Sequence, residues 1–184
     1  STFADNYKAY YVSMESPLYE DGPVAMFNYK GAPIRVTKFD TRTHKPLAQY
    51  AYLLDALAYE QKPSTGFFIN GVDEIMAIGN DQFLFIERSF SVGYTQNTIK
   101  IFLVDIKDAT NVATLSALHL NKNYRPVSKK LLLNLDELNR SIDNIEGMTL
   151  GPLLPNGNRS LILIADNNFQ LLQKSQVLLF EIIP

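Results

Sequence analysis

The chain of 184 residues contains no cysteine. That single absence excludes thiol nucleophiles, thiolate zinc centres and disulfides together. Tryptophan is also missing, and only two histidines occur, His44 and His119. Mechanisms that need several imidazoles, most histidine-rich metal sites among them, are excluded with them. No apolar run is long enough to span a bilayer as a helix. No signal peptide is visible, since Ser1-Thr2-Phe3 leads into the polar Ala4-Asp5-Asn6-Tyr7. The net charge is only −2, so the electrostatic footprint of a nucleic-acid binder is absent.

What is present points to strands. Ten tyrosines and eleven phenylalanines are residues that suit a pleated, half-buried surface. A charged fraction of 20% is that of an ordinary globular protein, and the length suits one domain over residues 1–184.

The organising signal is an internal repeat. Ala9-Tyr10-Tyr11-Val12-Ser13-Met14 ends at Glu15-Ser16, Phe83-Leu84-Phe85-Ile86 at Glu87-Arg88-Ser89, and Leu161-Ile162-Leu163-Ile164-Ala165 at Asp166-Asn167-Asn168. Each run is followed by a second strand that ends in an acid: Ile34 to Asp40, Ile99 to Asp105, Val177 to Glu181. Leu47 to Tyr52 and Lys130 to Leu135 continue the first two units, whereas the third stops at Pro184 before such a strand. Gly71 to Ile78 and Asn144 to Leu150 precede units two and three, linked by Gly79-Asn80-Asp81 and Pro155 to Asn158. Those links carry hairpin chemistry. The first unit has no leading strand on this reading. Gly22 to Pro33 and Tyr59 to Gly66 read as loops, and Leu135 to Arg140 as a helical turn or two.

Four antiparallel strands per unit is the build of a propeller blade. The expectation is therefore an all-β chain, a fragment of a β-propeller with roughly two and a half four-stranded blades. An open fragment exposes strand edges and invites either self-association or completion by a missing N-terminal part.

These residues carry a family resemblance. Asp143 to Pro152, followed by Ser160 to Phe169 and Gln176 to Glu181, resembles the C-terminal signature of the "esterase-like activity of phytase" family. Phe83 to Phe90, with its Glu87-Arg88-Ser89 core, is similar to a second motif, and Tyr11 to Leu18 to a third. The resemblance implies the C-terminal part of a β-propeller related to calcium-dependent phytases. It further implies hydrolysis of a phosphorylated small molecule and export to the periplasm or the medium.

Phosphoester hydrolysis needs neutralised phosphoryl charge and an activated water. Without thiols and with two histidines, hard oxygen ligands are the available means of holding a metal, and calcium takes six to eight of them. Equivalent strand ends lie at one end of a propeller, which would gather Glu15, Glu87 and Asp166 there, with Glu74 and Glu146 facing the same channel. The expected calcium ligands are Glu74, Glu87, Glu146 and Asp166. The expected catalytic residues are Glu87, Glu146 and Arg88, with Arg88 gripping phosphate bidentately. Each has a plainer reading: strand-end acids accept hydrogen bonds from loop amides, and Arg88 forms an ion pair between blades. Asp166-Asn167-Asn168 also suits a tight turn. Asp40, Asp105 and Glu181 are expected at turns, and both histidines at the surface. Ser89 lacks a nucleophile elbow and a partnered histidine. The rival function is a non-catalytic exported propeller that binds a protein or a glycan.

Overall fold

Strands rich in Phe, Tyr, Ile and Val cannot leave both faces in water, and here they stack as sheets. The computed structural model describes residues 1–121, 123–171 and 173–183. Pro184, where the third repeat unit stops, lies outside the described residues. The first sheet is β1 (Thr2–Ala4), β2 (Ala9–Ser13), β3 (Pro33–Asp40) and β4 (Pro46–Leu53), in that order. The second is β5 (Phe68–Gly79), β6 (Gln82–Ser91), β7 (Thr98–Asp105) and β8 (Ser128–Asn134). The third is β9 (Ile145–Leu153), β10 (Arg159–Ala165) and β11 (Gln176–Ile182), with β10 central. All neighbours within a sheet are antiparallel. There is no α-helix among the described residues, so none is long and apolar enough to cross a membrane.

The middle sheet explains why Phe83-Leu84-Phe85-Ile86 reads as an unbroken apolar run. Successive side chains point to opposite faces, and both faces are covered. Phe83 and Phe85 pack on the first sheet, where Tyr11 meets Phe83 and Tyr52 stacks on Phe85 at 4.9 Å between ring centres. Leu84 and Ile86 pack with Ile99 and Ile101 against Ile145, Leu161 and Leu163 of the third sheet. Two cores thus lie between three layers. The first strands of the sheets come together, with β5 touching both β1 and β9.

Turn chemistry sets the register. Asn80 and Asp81 close the β5–β6 hairpin with φ of 54° and 60°, the paired left-handed residues of a type I′ turn. The expected helical turn is a 3-10 turn, Leu135–Leu138, capped by the Asn134 side chain and ended by Asn139 at φ 52°.

One expectation is corrected. The first unit does have a leading strand, the three-residue β1, whose Thr2, Phe3 and Ala4 pair with Tyr11, Tyr10 and Ala9. It escaped notice because three residues ending in Asp5-Asn6-Tyr7, all at positive φ, show no period that a sequence reading can detect.

Candidate functional site

The acids that follow the first run of each unit lie at or near the C-terminal ends of those strands, away from Asp40, Asp105 and Glu181. Glu15 follows β2, Glu87 and Arg88 lie in the last part of β6, Asp166 follows β10, and Glu146 opens β9. Alternation along β6 then separates Glu87 from Arg88, since neighbours in a strand face opposite ways. Two clusters result.

The first is built around Arg88. In β5, Val72 pairs with Glu87 and Glu74 with Ile86, so Asp73 is the extra residue of a bulge. Bulges re-aim side chains, and this one sets the Asp73 carboxylate against the Arg88 guanidinium, whose Nε donates to Asp73 Oδ2. Arg88 Nη2 also lies 3.5 Å from Glu15 Oε1. Glu15 comes this close because its carbonyl accepts from Val72 N at 3.1 Å and because residue 71 is glycine. A Cβ at Gly71 would stand 2.7 Å from the Glu15 carbonyl oxygen. Burial raises the Asp73 pKa from 3.8 to about 6; Arg88 opposes the shift, while the charges of Glu15 and Glu146 add to it. A carboxylic acid that exchanges its proton near neutrality therefore sits beside a cationic fork.

That shift predicts a pH dependence of stability. A carboxyl held more firmly by the folded state contributes stability below its unfolded pKa and loses it as pH rises through the folded value. Melting temperature should therefore fall as pH rises from about 4 to about 6, with Asp73 contributing up to about 3 kcal/mol. In Asp73→Asn that component should vanish. Parallel pH profiles for the two proteins would rule out the assignment.

The second cluster surrounds Glu87, which is only 2% exposed. Its Oε1 accepts from Tyr52 Oη at 2.5 Å and Lys129 Nζ at 2.5 Å. Its Oε2 accepts from Asp55 N at 3.0 Å and Asn70 Nδ2 at 3.2 Å. Burial, then the Glu87 charge, pushes the Tyr52 hydroxyl well above its usual pKa, so it stays a donor. Asp55 gathers three ammonium groups, those of Lys129 at 2.9 Å, Lys100 at 3.1 Å and Lys30 at 3.7 Å. Lys129 additionally lies over the rings of Tyr52 and Phe102. Both Glu87 oxygens are taken by protein donors, and the cluster bridges the first and second sheets.

The other expected residues are dispersed. Glu74 accepts from the Ser1 ammonium at 3.2 Å and from Ile75 N. Asp166 caps its own turn, accepting from Asn168 N at 2.5 Å, which is the turn reading. Asp40, Asp105 and Glu181 accept from turn amides or neighbouring side-chain amides. His44 and His119 are exposed. Among the described residues no three acidic or imidazole side chains are placed to share one ion. The set Glu74, Glu87, Glu146 and Asp166 is thus not assembled as a calcium cage. Arg88 forms an ion pair, with Asp73 of its own sheet and Glu15 beyond the first, and Glu146 lies near Asp73. Asp73 is not among the residues that the sequence singles out. Its role depends on the bulge, for which the one local hint is two acids in succession on an otherwise apolar strand.

Comparison with known proteins gives one finding. Residues 2–169 match the family model described as phytase-like, esterase-like activity of phytase. No curated protein and no solved structure matches the chain.

Proposed function

Because that match places the chain in the phytase-like family, we propose that it is a propeller-type hydrolase of phosphate esters acting at the Arg88 cluster. The carrying observation is the pairing of a guanidinium with a carboxyl of raised pKa at the end of the sheets where the first strands meet. Arginine presents a planar fork that matches two phosphoryl oxygens. Glu15 at 3.5 Å is the weaker of its two partners, and a phosphate can take its place while Asp73 holds the guanidinium in orientation. Asp73 then relays protons. It accepts one from the water that attacks phosphorus and returns one to the alkoxide oxygen as the ester P–O bond breaks, leaving an alcohol and inorganic phosphate.

The propeller part of the proposal rests on the repeat of four-stranded sheets and on the faces left at the two ends of the stack. Ile164, Val177 and Leu179 are exposed on one end face and Phe3 on the other, and each would be covered by a further blade. That completion, or self-association in its place, is part of the proposal. Calcium and export enter it through the family alone, and no step above depends on either.

The test is turnover of a generic aryl phosphate by the full chain. Arg88→Lys keeps the charge but loses the fork, and kcat is expected to fall about 10²–10³-fold, the loss seen when one oxyanion donor is removed. Asp73→Asn should flatten the arm of the pH–rate profile near pH 6. Turnover that is absent, or unaffected by both substitutions, refutes the proposal and favours the rival reading as a binding module.

A further inference from the structure

Phe102 and Leu131 are register partners on β7 and β8, on the face that the second sheet turns toward the first. Phe102 is buried there, whereas Leu131, one strand farther out, is 45% exposed. The two sheets therefore stand apart at their outer strands and leave a cleft of about 660 Å³, within the range of small-molecule sites. Leu53, Val127 and Leu131 give it apolar walls, and Lys30, Asp55 and Lys129 supply the charge. Those charges do not balance. Lys30, Lys100 and Lys129 all pair with Asp55, and Lys129 also with Glu87. Among the described residues no other carboxylate pairs with these lysines, so three ammonium groups share two negative charges. Lys129 and Lys100 stand at hydrogen-bond distance from Asp55, 2.9 and 3.1 Å. Lys30 does not: its ammonium stops 3.7 Å from Asp55 Oδ1, and its side chain is 76% exposed. The surplus thus sits on Lys30 at the mouth of the cleft, where apolar walls strengthen its pull on an anion.

We propose that this cleft binds a small monocarboxylate with an apolar body, its carboxylate held by the Lys30 ammonium and its body laid against Leu53 and Leu131. One negative charge cancels the surplus. A phosphate dianion overshoots it, and an uncharged molecule leaves it standing. The lining shares no residue with the Arg88 cluster, so the site does not depend on the hydrolase reading. Lys129 is at once part of the lining and half of the Glu87 strut, so an occupant ties into the junction of the first and second sheets.

The experiment is a melting titration of the full chain with sodium benzoate and sodium octanoate, beside benzyl alcohol and inorganic phosphate. A ligand that binds the folded state raises its melting temperature, and a saturable rise with at least one carboxylate is expected. Lys30→Met keeps the stem and loses the charge. It should weaken the apparent Kd about ten- to a hundredfold, the loss of one charge-assisted hydrogen bond. Leu131→Asp, on the outer strand of its sheet, should weaken it likewise. Lys107→Met, at an exposed lysine outside the cleft, should keep the rise. Arg88→Lys should also keep it while losing turnover, which separates failure of the hydrolase from failure of this site. No rise with either carboxylate at millimolar concentration overturns the proposal. So does a full rise in Lys30→Met, or a rise with benzyl alcohol or phosphate that matches the carboxylates.

Discussion

Glu87→Ala is expected to destabilise the fold by about 3–5 kcal/mol, the usual cost of removing one partner of a buried ion pair. The reason is the company left behind. Tyr52 Oη, Asn70 Nδ2, Asp55 N and Lys129 Nζ all donate to this carboxylate, and the group they converge on is 2% exposed, out of contact with bulk solvent. The loss should appear as a lower urea midpoint with little change in slope. Glu87→Gln keeps the shape and some acceptors, and should cost less. Replacing both charges, Glu87→Leu with Lys129→Met, should recover only the part of the loss that comes from the unpaired ammonium, because Tyr52 Oη and Asp55 N still lack this acceptor. Turnover per folded molecule should remain near that of the parent in all three. A stable Glu87→Ala protein with lost turnover would return Glu87 to the catalytic set.

Asp21→Ala should cost a similar amount, about 3–5 kcal/mol, at the other side of the first sheet. Asp21 is fully buried and holds Arg35 bidentately, Nε and Nη2 both at 2.7 Å. It also accepts from Leu118 N at 3.0 Å. Arg35 in turn donates to the carbonyls of Val112 and Leu115 and to Gln49. One carboxylate therefore fastens two long segments, the loop after β2 and the loop between β7 and β8, to the face of the sheet. Its removal leaves a buried guanidinium without its only charged partner, and the β7–β8 loop should become the first site of proteolytic cleavage. Asp21→Asn, which retains one acceptor, should fall between the two. An unchanged melting temperature in Asp21→Ala would show that the loops are held by other means.

Some of this was legible in the chain before any coordinates. The strand runs, their hairpin links and the capped turn at Leu135 depend on neighbours a few residues away, so local composition determines them. The turn roles of Asp40, Asp105 and Glu181 were readable for the same reason. Membership in the phytase-like family likewise rests on residues in sequence order. The division of labour between Glu87 and Arg88 was settled by tertiary structure. Adjacent residues face opposite layers, and only the packing of one sheet on each side makes the first a buried strut and sets the second against Asp73 and Glu15. Asp73 became prominent through a bulge whose position depends on the pairing of β5 with β6. Pairing and burial join residues distant in the chain, and no local pattern encodes their outcome.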